Sequence, residues 1–277
     1  MLGSYSNPPI PANSGLALTL RWFNIVLETA PENATVSSLS HDPKRITTPE
    51  DATLPRADQD RSLESAIDDF RRVSPTNGEV DGDEDQADYA DYFRSIEAEA
   101  RRLGVFYDGL QPAIEGGREH DLIFDEATNT VLKFTKPAKA AYVVTFEFGS
   151  PRLVPGLPVQ YLERQALHNE LFADNIRFVG VGGDASLRRI ITRQNRITGR
   201  EARWDEITRF MTEELGFTKL RHNYGIGYED SYGFVRGDVA VFDLRPANVV
   251  ISESGIFDVI DSIPVRLNED SRGAFVP

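Results

Sequence analysis

From residue 121 onward, the apolar residues fall into runs whose order rules out a doubly wound sheet. Residues 121–125 and 131–135 read as strands on either side of the polar turn 126–130, which predicts a β-hairpin. Over 162–174, Leu162, Ala166, Leu167 and Leu171 share one helical face. Two strands are expected at 176–181 and 187–192. A second amphipathic helix over 204–215 carries Ile207, Phe210 and Met211 and is closed by Gly216. Four short apolar runs follow, at 233–235, 239–242, 249–252 and 256–260. Strands come in clusters and do not alternate one for one with helices, so the expected class is α+β. The glycines at 180, 182 and 183 do not change this, because a dinucleotide fingerprint needs a helix behind it. A strand follows them here, and a tight turn is the expectation.

The first third reads differently. Residues 5–89 are rich in Pro, Ser, Asn, Thr and Asp, and low hydrophobicity predicts a largely disordered arm over 1–89. Within it, 18–28 has the character of a strand or short helix. In 63–73, Leu63, Ala66, Ile67 and Phe70 have helical spacing. The acidic run 81–85 resembles the start of a calcium loop. However, Gln86 stands at the sixth position and Tyr92 at the twelfth, so a solvated linker is expected instead. Order is expected to begin near Ala90, where Tyr92, Ile96, Ala100 and Leu103 repeat at helical spacing before Gly104.

Composition narrows the function. The formal charge is −14, with 44 acids against 30 bases, which argues against nucleic acid as the main partner. The absence of cysteine excludes disulfides, thiolate metal sites and a thiol nucleophile. The apolar run 16–27 is interrupted by Arg21 and too short for a bilayer. With no signal-peptide pattern, no membrane and a cytoplasmic location are the expectation. The histidines at 41, 120, 168 and 222 form no zinc pattern, and His120 is expected to hydrogen-bond locally.

The chemistry-bearing segment is Asp243-Leu-Arg-Pro-Ala-Asn248. Pro246 favours an extended loop between the carboxylate and the amide. A strand from 249 to 252, the turn Glu253-Ser-Gly255 and a strand ending at Asp261 would return a second carboxylate beside Asn248. Two hard oxygen ligands facing a phosphate suit magnesium. Phosphoryl transfer needs such a site, together with a cation on the nucleotide and a carboxylate that orients the attacking hydroxyl.

This pattern resembles the protein-kinase-like superfamily. It is similar to the aminoglycoside-phosphotransferase branch and closest to the kinase-like domains of bacterial and phage polyvalent proteins. Gly116-Gly-Arg-Glu-His-Asp121 and Tyr161-Leu-Glu-Arg164 with Asn169-Glu-Leu-Phe172 carry the likeness to the last group. The resemblance spans roughly 116–265. It implies a two-lobed fold, with an N-lobe of about 90–192 and a C-lobe of about 193–277. Only sixteen residues follow Asp261, so a shortened C-lobe is expected.

By the same resemblance Asp243 would be the catalytic base, and Asn248 and Asp261 would be magnesium ligands. Lys133 would anchor the phosphates of ATP, with Glu163 or Glu170 as its partner. Gly116 and Gly117 would form a reduced glycine-rich phosphate cover, and residues 191–195 the hinge. The implied activity is an ATP- and Mg2+-dependent phosphotransferase acting on an unknown acceptor, a small molecule or a protein hydroxyl. A catalytically inactive nucleotide- or protein-binding module and a nucleotidyl-transferring enzyme are the alternatives. The departures are Phe242 before the catalytic Asp and Ser262-Ile263 after Asp261 in place of Phe-Gly.

Overall fold

The computed structural model describes residues 54–74, 86–136, 140–183 and 188–275, with 86–90 described as helical backbone only. The runs at 18–28 and 81–85 lie outside the described residues. No described helix is long and apolar enough to cross a membrane.

Order begins earlier than the sequence suggested. Helix α1 (Leu63–Val73) is capped by Ser62, whose hydroxyl accepts from the Ser65 amide at 3.1 Å. An isolated helix of this length is marginal, but Leu63, Ala66, Ile67 and Phe70 are all buried. Burying Leu63, Ile67 and Phe70 contributes about 1.5–3 kcal/mol each. The expected arm over 1–89 is therefore corrected for residues 54–74. The helical spacing of 63–73 holds, and what the average composition of the polar stretch does not show is that this helix packs into the core.

Helix α2 (Gln86–Arg102) leads to strand β1 (Phe106–Asp108). The expected hairpin forms from β2 (His120–Asp125) and β3 (Thr130–Thr135), with Leu122 opposite Lys133. A second hairpin, β4 (Tyr142–Glu147) and β5 (Ser150–Pro155), was not foreseen. Helix α3 (Pro158–Phe172) starts earlier than its apolar stripe, because Pro158 suits the first turn and Gln160 accepts from the Leu157 amide at 2.8 Å. Strands β6 (Arg177–Gly183) and β7 (Arg189–Asn195) complete a five-stranded sheet ordered β1-β6-β7-β3-β2.

Gly180 and Gly182 lie inside β6 and not in the tight turn expected of them. A Cβ on Gly180 would sit 2.2 Å from the Val105 carbonyl oxygen and 2.6 Å from the Tyr107 ring, so close packing by β1 demands glycine there.

After the short strand β8 (Arg200–Glu201), α4 (Trp204–Arg209) continues as a π-helical turn over Phe210–Glu214. The remaining strands are β9 (Thr218–Lys219), β10 (Tyr232–Arg236), β11 (Val239–Leu244), β12 (Val249–Ile251), β13 (Phe257–Val259) and β14 (Ile263–Arg266), and α5 (Glu269–Arg272) follows. A four-stranded sheet runs β14-β11-β10-β9, and a three-stranded one runs β13-β12-β8. The mixed α+β class is as expected. Separate apolar clusters lie under the two larger sheets. One joins α1, α2 and α3 to β6, and another joins α4 to β10, β11 and β12.

Candidate active site

The site forms where β3, α3, the end of β11 and the β12–β13 hairpin meet. Lys133 is buried on β3, and its amine donates to the Ile260 carbonyl oxygen at 2.8 Å. Burial lowers the Lys133 pKa, while the carboxylates of Asp261 and Asp174 oppose that shift. The hairpin has the expected pairing, with Val249 opposite Val259, and the Ile260 amide donates to the Asn248 carbonyl oxygen at 2.9 Å. Asp261 thus follows directly on a backbone contact with both Lys133 and Asn248.

Asp243, the penultimate residue of β11, has φ +61°, a left-handed conformation uncommon for a residue with a side chain. Three bonds hold it there. The Tyr228 amide donates to Oδ1 at 2.9 Å, and Asn248 Nδ2 donates to Oδ2 at 3.0 Å and to the main-chain oxygen at 2.7 Å. Burial, with a smaller contribution from Asp261, pushes the Asp243 carboxyl up to about 6 against the pull of the Tyr228 amide. For Asp261 burial acts in the same direction, but Lys133, His120 and Arg164 together hold its carboxyl below the usual range.

Neither carboxylate offered as the partner of Lys133 reaches it. Glu163 bonds Arg71 at 2.5 Å on the outer side of α3, and Glu170 pairs with Arg266. The helical spacing did place the two on a common face, but the face turned to the site carries Arg164 and His168. Arg164 is 2 % exposed and grips Glu119 with both terminal nitrogens, at 2.9 and 2.6 Å. It also donates to the Tyr142 carbonyl oxygen at 2.5 Å and lies 3.6 Å from Asp261. The carboxylate that most favours the charged form of Lys133 is Asp261 itself.

His120 is also buried, and burial lowers its pKa to about 4. Its Nε2 lies 3.0 Å from the Tyr161 hydroxyl, which lies 3.1 Å from the Thr192 hydroxyl on β7. The local bonding expected of His120 is replaced by a link across 41 residues. Residues 191–195, the expected hinge, form β7 beside the lysine strand, with Thr192 opposite Lys133.

Gly116 donates its amide to Asp121 Oδ1 at 3.0 Å, and a Cβ there would meet the His120 carbonyl oxygen at 2.1 Å. Gly117 lines a cavity of about 410 Å³ together with Glu119, Tyr228, Asp243, Arg245 and Asp261.

Arg164, Glu119 and Tyr228 are site residues that the sequence does not announce. The first two stand inside the two motifs that carried the resemblance, yet spacing alone does not reveal that those motifs interlock. Tyr228 contributes a main-chain amide, which leaves no trace in side-chain chemistry.

Asn248 Oδ1 is buried without a hydrogen-bond partner. An unpartnered buried acceptor costs about 1–3 kcal/mol, and a hard cation would satisfy it. The donor set of Asn248 Oδ1 and Asp261 therefore fits magnesium.

The sequence model of a family described as a serine/threonine/tyrosine kinase found in polyvalent proteins matches residues 96–269. That is more than half of the chain, and the chain belongs to this kinase-like family. No curated protein and no solved structure matches it.

Proposed function

We propose that this chain transfers the γ-phosphoryl group of Mg·ATP to a hydroxyl acceptor. The observation that carries the reading is one arrangement: Lys133 and Asn248 are both bonded to the main chain that bears Asp261, and Asn248 also fixes Asp243. In this reading Asp243 orients the acceptor hydroxyl and takes its proton. Its raised pKa keeps it basic enough to accept the proton while it is still ionised at neutral pH. Lys133 would leave the Ile260 carbonyl to meet the nucleotide phosphates. Asn248 Oδ1 and Asp261 would hold magnesium, which offsets the negative charge of the phosphates during transfer. Arg164 and Glu119 position Asp261 and the turn before β2.

The test is incubation of the purified full chain with γ-labelled ATP and magnesium, with and without candidate acceptors. Products are read by mass spectrometry and compared with Asp243→Ala and Asp261→Asn. A phosphate adduct lost in both variants is expected. An AMP adduct would instead assign nucleotidyl transfer, and binding without turnover would assign a non-catalytic module.

A further inference from the structure

Two guanidinium groups in this cavity have no part in the reading above. Arg118, on the exposed turn before β2, and Arg245, two residues past Asp243, both lie over the Tyr228 ring, at 5.3 and 3.9 Å from its centroid. All three residues line the same cavity as Asp243. Among the described residues Arg118 makes no ion pair. Arg245 approaches Asp243 at 3.9 Å, and its buried Nε has no hydrogen-bond partner. Lys133, by contrast, has its amine on the Ile260 carbonyl oxygen and does not line the cavity.

A guanidinium over an aromatic face is held in place, and its exposed N–H groups can still bond a planar or tetrahedral anion. Glu119, Asp243 and Asp261 line the same cavity, and Glu119 is engaged by Arg164; the two arginines gather at the Tyr228 ring, where they favour a negative ligand. The volume of about 410 Å³ is that of a small-molecule site.

We infer that the acceptor is a small hydroxyl compound bearing a phosphate or carboxylate, held by Arg118 and Arg245 with its hydroxyl on Asp243. This rests on the phosphotransferase reading of the same cleft.

The test is calorimetric titration of the full chain with inorganic phosphate and, separately, with acetate, each with and without saturating Mg·AMP-PNP. The account expects one of the anions to bind with the nucleotide analogue already in place. Arg118→Ala should weaken that binding by about tenfold, as expected for loss of a charge-assisted hydrogen bond, and leave Mg·AMP-PNP affinity unchanged. Tighter phosphate assigns a phosphorylated acceptor, and tighter acetate a carboxylate. Displacement of the anion by Mg·AMP-PNP would overturn the inference, since the arginines would then serve the nucleotide. Anion binding indifferent to Arg118→Ala would overturn it equally. Failure of Mg·AMP-PNP to bind at all would remove the phosphotransferase reading and the acceptor role with it, leaving an anion site only.

Discussion

Asn248 holds Asp243 at two points, donating to its main-chain oxygen at 2.7 Å and to its carboxylate at 3.0 Å. The five-residue spacing of the motif therefore reflects a closed loop, in which the amide fixes an aspartate whose backbone is left-handed. Asn248→Ala removes both donors and leaves the strained φ unsupported. Denaturant unfolding should show a loss of about 1–3 kcal/mol. Phosphoryl transfer should fall by about a hundredfold or more, as when a positioning group is lost.

Gly227 tests the same aspartate from the other side. Its φ is +83°, and a Cβ would lie 2.5 Å from Asp243 Oδ1. Gly225 has a similar φ of +73° but open space around it. Gly225→Ala should cost only the left-handed backbone strain, about 1–2 kcal/mol. Gly227→Ala should cost more and should also lower kcat, because the carboxylate must move. Equal effects on stability and kcat in the two variants would show that Gly227 does not set the position of Asp243.

The pH dependence follows from the Asp243 carboxyl, which burial lifts from 3.8 to about 6. The folded state binds this proton more tightly than the unfolded chain. Its contribution to stability is therefore fully present below pH 3.8 and is lost as pH rises through about 6. The difference is on the order of 2–3 kcal/mol across that window. Asp243→Asn should remove this slope, measured as the wild-type minus variant difference in unfolding free energy at several pH values. Transfer activity should move the opposite way, rising with pH through about 6 as the base ionises.

The Glu119–Arg164 pair is buried and bidentate, so breaking one side leaves an uncompensated charge. Arg164→Met alone should destabilise by about 3–5 kcal/mol, and the double variant Glu119→Gln with Arg164→Met by clearly less than the sum of the two singles. Additive effects in thermal or denaturant unfolding would mean that the two side chains do not act as a unit.

Much of this site could be read from the sequence because it is local. The Asp243–Asn248 loop and the β12–β13 hairpin are set by residues near one another in the chain. A turn glycine and strand alternation fix the hairpin, whereas Pro246 opens a 3-10 turn over Pro246–Asn248 and not the extended loop expected of it, because its fixed φ also suits the first position of a helical turn. Lys133 is singled out by the family resemblance, since a lysine on a hairpin strand is by itself commonplace. The misreadings came where tertiary packing decides. The stripe on α3 gave its axis but not which flank meets β3, so Glu163 and Glu170 were offered where Arg164 and His168 face inward. The β4–β5 hairpin was missed because prolines at 151 and 155 weaken its alternation. Helix α1 is legible in its own spacing, but the polar residues around it place it in a disordered arm, and its packing on α2, α3 and β6 is not visible in the sequence.

The most direct test is calorimetric binding of AMP-PNP to the full chain with and without magnesium, for the wild type, Lys133→Met, Asp261→Asn and the control Glu163→Gln. The account predicts magnesium-dependent binding that is weakened at least about tenfold by the first two substitutions, each of which removes a charged contact. It predicts no change with Glu163→Gln, whose carboxylate serves Arg71 instead. Binding that ignores magnesium and survives Asp261→Asn would contradict a shared metal–nucleotide site at Lys133, Asn248 and Asp261.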